Sequence, residues 1–129
     1  MMPDNDRSAV ISIGGQDYEM ILTTKATKEI AGRYGGLEKL GDKLMKTENF
    51  EMALEEVVWL ITLLANQSLL IHNLKHRDSQ KELLTPEAVE LLTSPFELAV
   101  YKNAIMEAMF KGTKRGVQSE DDSKNTQAE

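Results

Sequence analysis

His72 and His76 stand four residues apart in "IHNLKHRD", the spacing that puts two imidazoles on one helical face as zinc ligands, with Asp78 close behind. Such a set would serve a structural metal or metal-assisted hydrolysis. The rest of the pattern is missing: no Glu follows the first His, and no third ligand stands at a defined distance. A histidine near a helix C-terminus is also favourable through the helix dipole alone. Glu55 and Glu56 could do acid–base work, but neighbours on a helix point about 100° apart, so by themselves they form no catalytic pair. Gly14-Gly15 and Gly35-Gly36 lack the Lys and following Ser or Thr of a phosphate loop, and Ser68 and Ser94 lack a nucleophile-elbow pattern. The chain has no cysteine, which removes thiolate nucleophiles, thiolate metal sites and disulfides together. The expectation is a protein that is not an enzyme, with no catalytic, cofactor-binding or metal residue and no cofactor.

The bulk composition points the same way. Fifteen Lys and Arg stand against 21 Asp and Glu, a net charge of -6, and the pI is about 5.0. Such a surface repels phosphate backbones and anionic lipid, so neither nucleic acid nor membrane is expected as a partner. The one basic stretch, 23–46, holds six Lys or Arg (Lys25, Lys28, Arg33, Lys39, Lys43, Lys46) against Glu29, Glu38 and Asp42, a local +3. It reads as the solvated face of two short helices. "MMPDNDRSAV" shows no basic start followed by an apolar run, so no secretory signal is expected.

The 129 residues fit one domain. A flexible N-terminus over 1–8 precedes a globular unit over 9–112 and a disordered polar tail over 113–129, where only Val117 and Ala128 are apolar. "VISIGGQDYEMIL" predicts a hairpin over 9–22 turning at Gly14-Gly15. Ile13 then faces Gln16, Ile11 faces Tyr18, Ala9 faces Met20, and one face carries Ala9, Ile11, Ile13, Tyr18, Met20 and Leu22. Helices are expected at about 24–35, 37–46, 48–73, 86–93 and 95–111. Thr23 or Thr24 caps the first, which turns Ala26, Ile30 and Tyr34 inward and stops at Gly35-Gly36. Thr85-Pro86 and Ser94-Pro95 open the last two, with Glu97 completing a capping box. The final helix buries Leu98, Tyr101, Ile105, Ala108 and Met109 and stops near Gly112. This helix pair is neutral along its second member and presents no Arg or Asn cluster for base edges. The fold class is α+β, mostly α: an N-terminal hairpin followed by a small helical bundle around one long central helix.

That central helix carries the candidate site. No Asp, Glu, Lys or Arg interrupts 57–74, a length at which a membrane span is thinkable, yet "ANQS" puts three polar side chains near its middle. At about 100° per residue, Glu51, Glu55, Thr62, Asn66 and Asn73 form one polar stripe. Leu60, Leu64, Ile71 and Ala53 lie opposite, and Trp59, Leu63, Leu70, Met52 and Leu74 fill a flank. A helix apolar over most of its circumference belongs in a core or at a contact between proteins. The expected partner surface is Trp59, Leu63 and Leu70, bounded by Glu51, Glu55, Asn66 and Asn73. The same surface is open to a second copy of the chain, and the hairpin's free edge offers strand addition.

The order of parts resembles the tail assembly chaperones of long-tailed bacteriophages and prophages. The likeness rests on the hairpin "IGGQDYEMILTT", the helix "KATKEIAGRYGGLEKL" and the acidic-start helix "ENFEMALEEVVWLITLLANQ", over roughly residues 10 to 70. It implies a non-enzymatic protein that coats the tape measure protein, keeps it soluble, and recruits tail tube subunits. It would act in the bacterial host cytoplasm and be absent from the mature virion. A second expectation, from the residues alone, is a small helical regulatory adaptor or transcription-related interaction domain, for which 23–46 is the support.

Overall fold

The computed structural model describes residues 8–36, 38–40, 42 and 50–128. Strand β1 (Ser8–Ile13) turns back through Gly14 and Gly15 into β2 (Gln16–Ile21). Both glycines have positive φ, 60° and 82°, the mirror-image turn whose twist matches that of the strands it joins. The register pairs Ile13 with Gln16, Ile11 with Tyr18 and Ala9 with Met20, as the alternation predicts. Ala9, Ile11, Ile13, Met20 and Leu22 are buried, and Tyr18 packs against them.

Helix α1 (Thr24–Tyr34) begins where the Thr23 hydroxyl accepts the Ala26 N–H at 3.0 Å and ends at Gly35, whose N–H donates to the Ala31 carbonyl. Ala26 and Ile30 are wholly buried. Most of the expected helix over 37–46 lies outside the described residues. Residues 38–40 and 42 are helical, and Leu40 is fully enclosed. The long helix, α2 (Phe50–Lys75), is the centre of the protein; residues 48 and 49, where its start is expected, lie outside the described residues. Val57, Val58, Leu60, Ile61, Leu64, Ala65 and Leu69 are buried. Leu54–Lys75 is long and apolar enough to cross a membrane, and half of its most apolar stretch is buried within the protein.

After the connector 76–85, α3 (Pro86–Leu92) starts on the Thr85 hydroxyl, which accepts the Ala88 N–H at 3.1 Å. Helix α4 (Pro95–Ala128) opens with the expected capping box: Ser94 N–H donates to Glu97 Oε1 at 2.8 Å, and Glu97 N–H to Ser94 Oγ at 3.3 Å. Leu98, Tyr101, Ile105, Ala108 and Met109 are buried together. The expected helix end near 111 is corrected, because α4 runs on to Ala128. Gly112 is not a stop. It lies within the helix and against β2's exit, where an added Cβ would come within 2.6 Å of Leu22 Cβ. Here glycine serves close approach rather than termination.

The described residues are mostly helical with one two-stranded sheet among them, so the protein is α+β, mostly α. β2 lies over α2 and β1 over α4, and one core draws side chains from both strands and all four helices.

Candidate partner-binding site

The flank of α2 expected to meet a partner is partly exposed. Trp59, Leu63 and Leu70 form the floor of a groove of about 230 Å³. Lys25 and Glu29 of α1 make one wall, and Leu83 and Pro86, from the connector and the start of α3, make the other. Lys25 and Glu29 pair at 3.2 Å along α1, both well exposed. The groove therefore has an apolar floor and a charged but locally neutral rim.

Trp59 is anchored within a polar–aromatic cluster. Its ring meets Tyr34 edge to face at 5.9 Å between centroids, and the Arg33 guanidinium sits 4.5 Å from its centre, a favourable cation–ring contact. Arg33 Nε also lies 3.4 Å from Glu56 Oε1, and the Tyr34 hydroxyl donates to the same oxygen. Glu56 is buried, which this arrangement allows because a guanidinium and a phenol both serve its carboxylate. Burial pushes the Tyr34 phenol well above its usual range, and the bond to Glu56 adds to the effect. Glu55, one residue earlier, faces solvent.

Two residues of the polar stripe hold the connector. Asn66 Nδ2 donates to the Leu84 carbonyl at 2.9 Å, and Asn66 Oδ1 accepts the Leu84 N–H at 2.7 Å. Asn73 repeats the arrangement on Lys81, at 3.0 and 2.7 Å. Seven residues of helix rise about 10.5 Å, and three residues of extended chain span about 10 Å, so two amides two turns apart match Lys81 and Leu84. Asn66 and Asn73 are thus occupied in docking the connector onto α2, and Thr62 Oγ1 donates to the Val58 carbonyl of its own helix. Of the bounding residues expected to meet a partner, these two asparagines also clamp the connector. Asn66 also lines the groove. The side chain of Glu51 lies outside the described residues.

Gln67 ties the helices from beneath. It is buried, its amide nitrogen donates to the Leu63 carbonyl at 3.0 Å, and its oxygen accepts the Thr23 hydroxyl that caps α1. Lys25, Glu29, Leu83 and Pro86 were not legible as groove walls, because only the folding of α1 and the connector against α2 brings them there.

The histidine pair is stacked, with ring centroids 4.3 Å apart. His72 Nε2 bonds the Ser79 carbonyl at 2.8 Å, and His76 Nδ1 bonds the His72 carbonyl at 3.0 Å. Both close the end of α2, and among the described residues no group of three or more His, Cys, Asp or Glu could hold a metal. Two cations of the 23–46 stretch are also engaged: Lys25 with Glu29, and Arg33 with Glu56 and Trp59.

The fold and the groove define a class, a small mostly helical α+β protein with an apolar cleft along its central helix. No protein-family model, curated protein or solved structure matches the chain.

Proposed function

We propose that this chain is a non-enzymatic tail assembly chaperone of the kind made by long-tailed phages and prophages. It binds the tape measure protein and helps recruit tail tube subunits during tail building in the bacterial host cytoplasm, and it is absent from the mature virion. The observation that carries the proposal is the groove: Trp59, Leu63 and Leu70 stay partly exposed on a helix whose other side is the core. An apolar strip of this kind suits an amphipathic helix laid into a cleft. The resemblance of the hairpin, first helix and central helix to that family is the second support, and the acidic surface would keep a client complex soluble.

Co-expression with a tape measure protein, followed by pull-down, tests this. The expected result is a soluble complex with several copies of this chain per client. Leu63→Asp with Leu70→Asp should fold but lose the client. An insoluble client beside a lone, stable chain would remove the proposal and favour the regulatory adaptor. That alternative has less support, because two of its cations are already paired within the protein, and a salt-sensitive nucleic-acid shift would be its positive sign.

A further inference from the structure

The two edges of the hairpin are treated differently. In this register Ile13–Gln16, Ile11–Tyr18 and Ala9–Met20 are the pairs bonded to each other, so the backbone groups of the alternate residues point away from the hairpin. On β1 two of those outward carbonyls are taken by α4: the Tyr101 hydroxyl donates to the Ser12 carbonyl, and Lys111 Nζ donates to the Ser8 carbonyl at 3.0 Å. On β2 the corresponding residues are Asp17 and Glu19. Both are exposed, and among the described residues no group bonds their outward N–H and C=O. The β1 edge is held at both ends by α4, and the β2 edge is open at Asp17 and Glu19.

Beside the open edge is a slot of about 530 Å³. Tyr18 lines it from β2, Leu69 from α2, and Leu84 and Ala88 from the far side. An added strand would place alternate side chains on opposite faces. Those on the inner face would enter the slot against Tyr18, Leu69 and Leu84, and those on the outer face would stand beside Asp17 and Glu19. A second copy does not suit this edge. Two β2 strands paired antiparallel about Tyr18 would set Asp17 opposite Glu19, like charge on like charge. Lys81 and Glu82, which also border the slot, cancel each other, so the edge keeps two negative charges.

We propose that the open edge of β2 captures an extended segment of a partner protein in which Lys or Arg alternates with apolar residues. The partner's backbone bonds Asp17 and Glu19, its cations face their carboxylates, and its apolar side chains fill the slot. This surface lies across residues 83–86 from the Trp59 groove, and it stands or falls independently of the function proposed for that groove.

The test uses the full chain and a labelled peptide of about ten residues alternating lysine and valine, followed by fluorescence polarisation and amide hydrogen exchange. Binding should weaken roughly tenfold in Asp17→Lys with Glu19→Lys, whose exposed sites leave the fold intact, and also as salt is raised. Exchange at the Asp17 and Glu19 amides should slow when the peptide is added. Glu19→Pro, which removes one outward N–H but no hairpin bond, should also weaken binding. The proposal is overturned if the peptide does not bind, or if a peptide with its lysines and valines in separate blocks binds equally well. Peptide binding that leaves those two amides unprotected overturns it too. Protection that grows with protein concentration in the absence of peptide would assign the edge to a second copy instead.

Discussion

At the scale of single residues, the cluster around Trp59 decides how the groove holds its shape. Trp59 is partly exposed, so Trp59→Ala should cost about 2 kcal/mol, below the ~3–5 kcal/mol of a fully enclosed aromatic. A urea melt of the variant checks this. Tyr34 gives a pH signature. Its folded pKa is raised by burial and by the bond to Glu56, so the folded state holds the phenolic proton more tightly than the unfolded state. The resulting stability is complete below the ordinary tyrosine pKa of about 10 and is lost as pH rises through the folded value. Tyr101, raised by burial and by Glu97, acts in the same direction. Denaturation midpoints should therefore fall above about pH 10, and Tyr34→Phe should flatten the fall. An equal decline in Tyr34→Phe would assign the effect to other groups.

At the scale of elements, the two asparagine clamps and the helical glycine make opposite kinds of prediction. Asn66→Ala removes two bonds to Leu84 from a part-buried site and should cost about 1–3 kcal/mol. Faster amide exchange at Leu84 would confirm that the connector has loosened. Gly112→Ala should destabilise although alanine is the better helix former by about 1 kcal/mol, because its Cβ would collide with Leu22; the expected net loss is about 1–2 kcal/mol. A raised melting temperature would show that Leu22 can move aside. Elements with local grammar were legible beforehand. The glycine turn, the Thr23 and Thr85 caps and the Ser94–Glu97 box each depend on residues within four positions of one another. Gly112 misled for the same reason, since its role is set by Leu22, far away in the chain. The polar stripe on α2 was visible as a face, but what it touches depends on where the connector folds, and nothing near Asn66 or Asn73 announces Lys81 and Leu84.

At the scale of the whole molecule, one central helix divides its labour. Leu60, Ile61, Leu64 and Ala65 build the core, Asn66 and Asn73 hold the connector, and Trp59, Leu63 and Leu70 remain as the floor of an open groove. The chain has a single tryptophan, and it lies in that groove, so its fluorescence reports directly on the central claim. The measurement is Trp59 emission and its quenching by iodide as a tryptophan-free segment of a tape measure protein is added. If the groove takes the client, emission shifts to the blue, quenching falls, and both effects saturate together with complex formation. If a soluble complex forms while Trp59 keeps its emission and its exposure to iodide, the client binds elsewhere and the groove is not the client-binding surface.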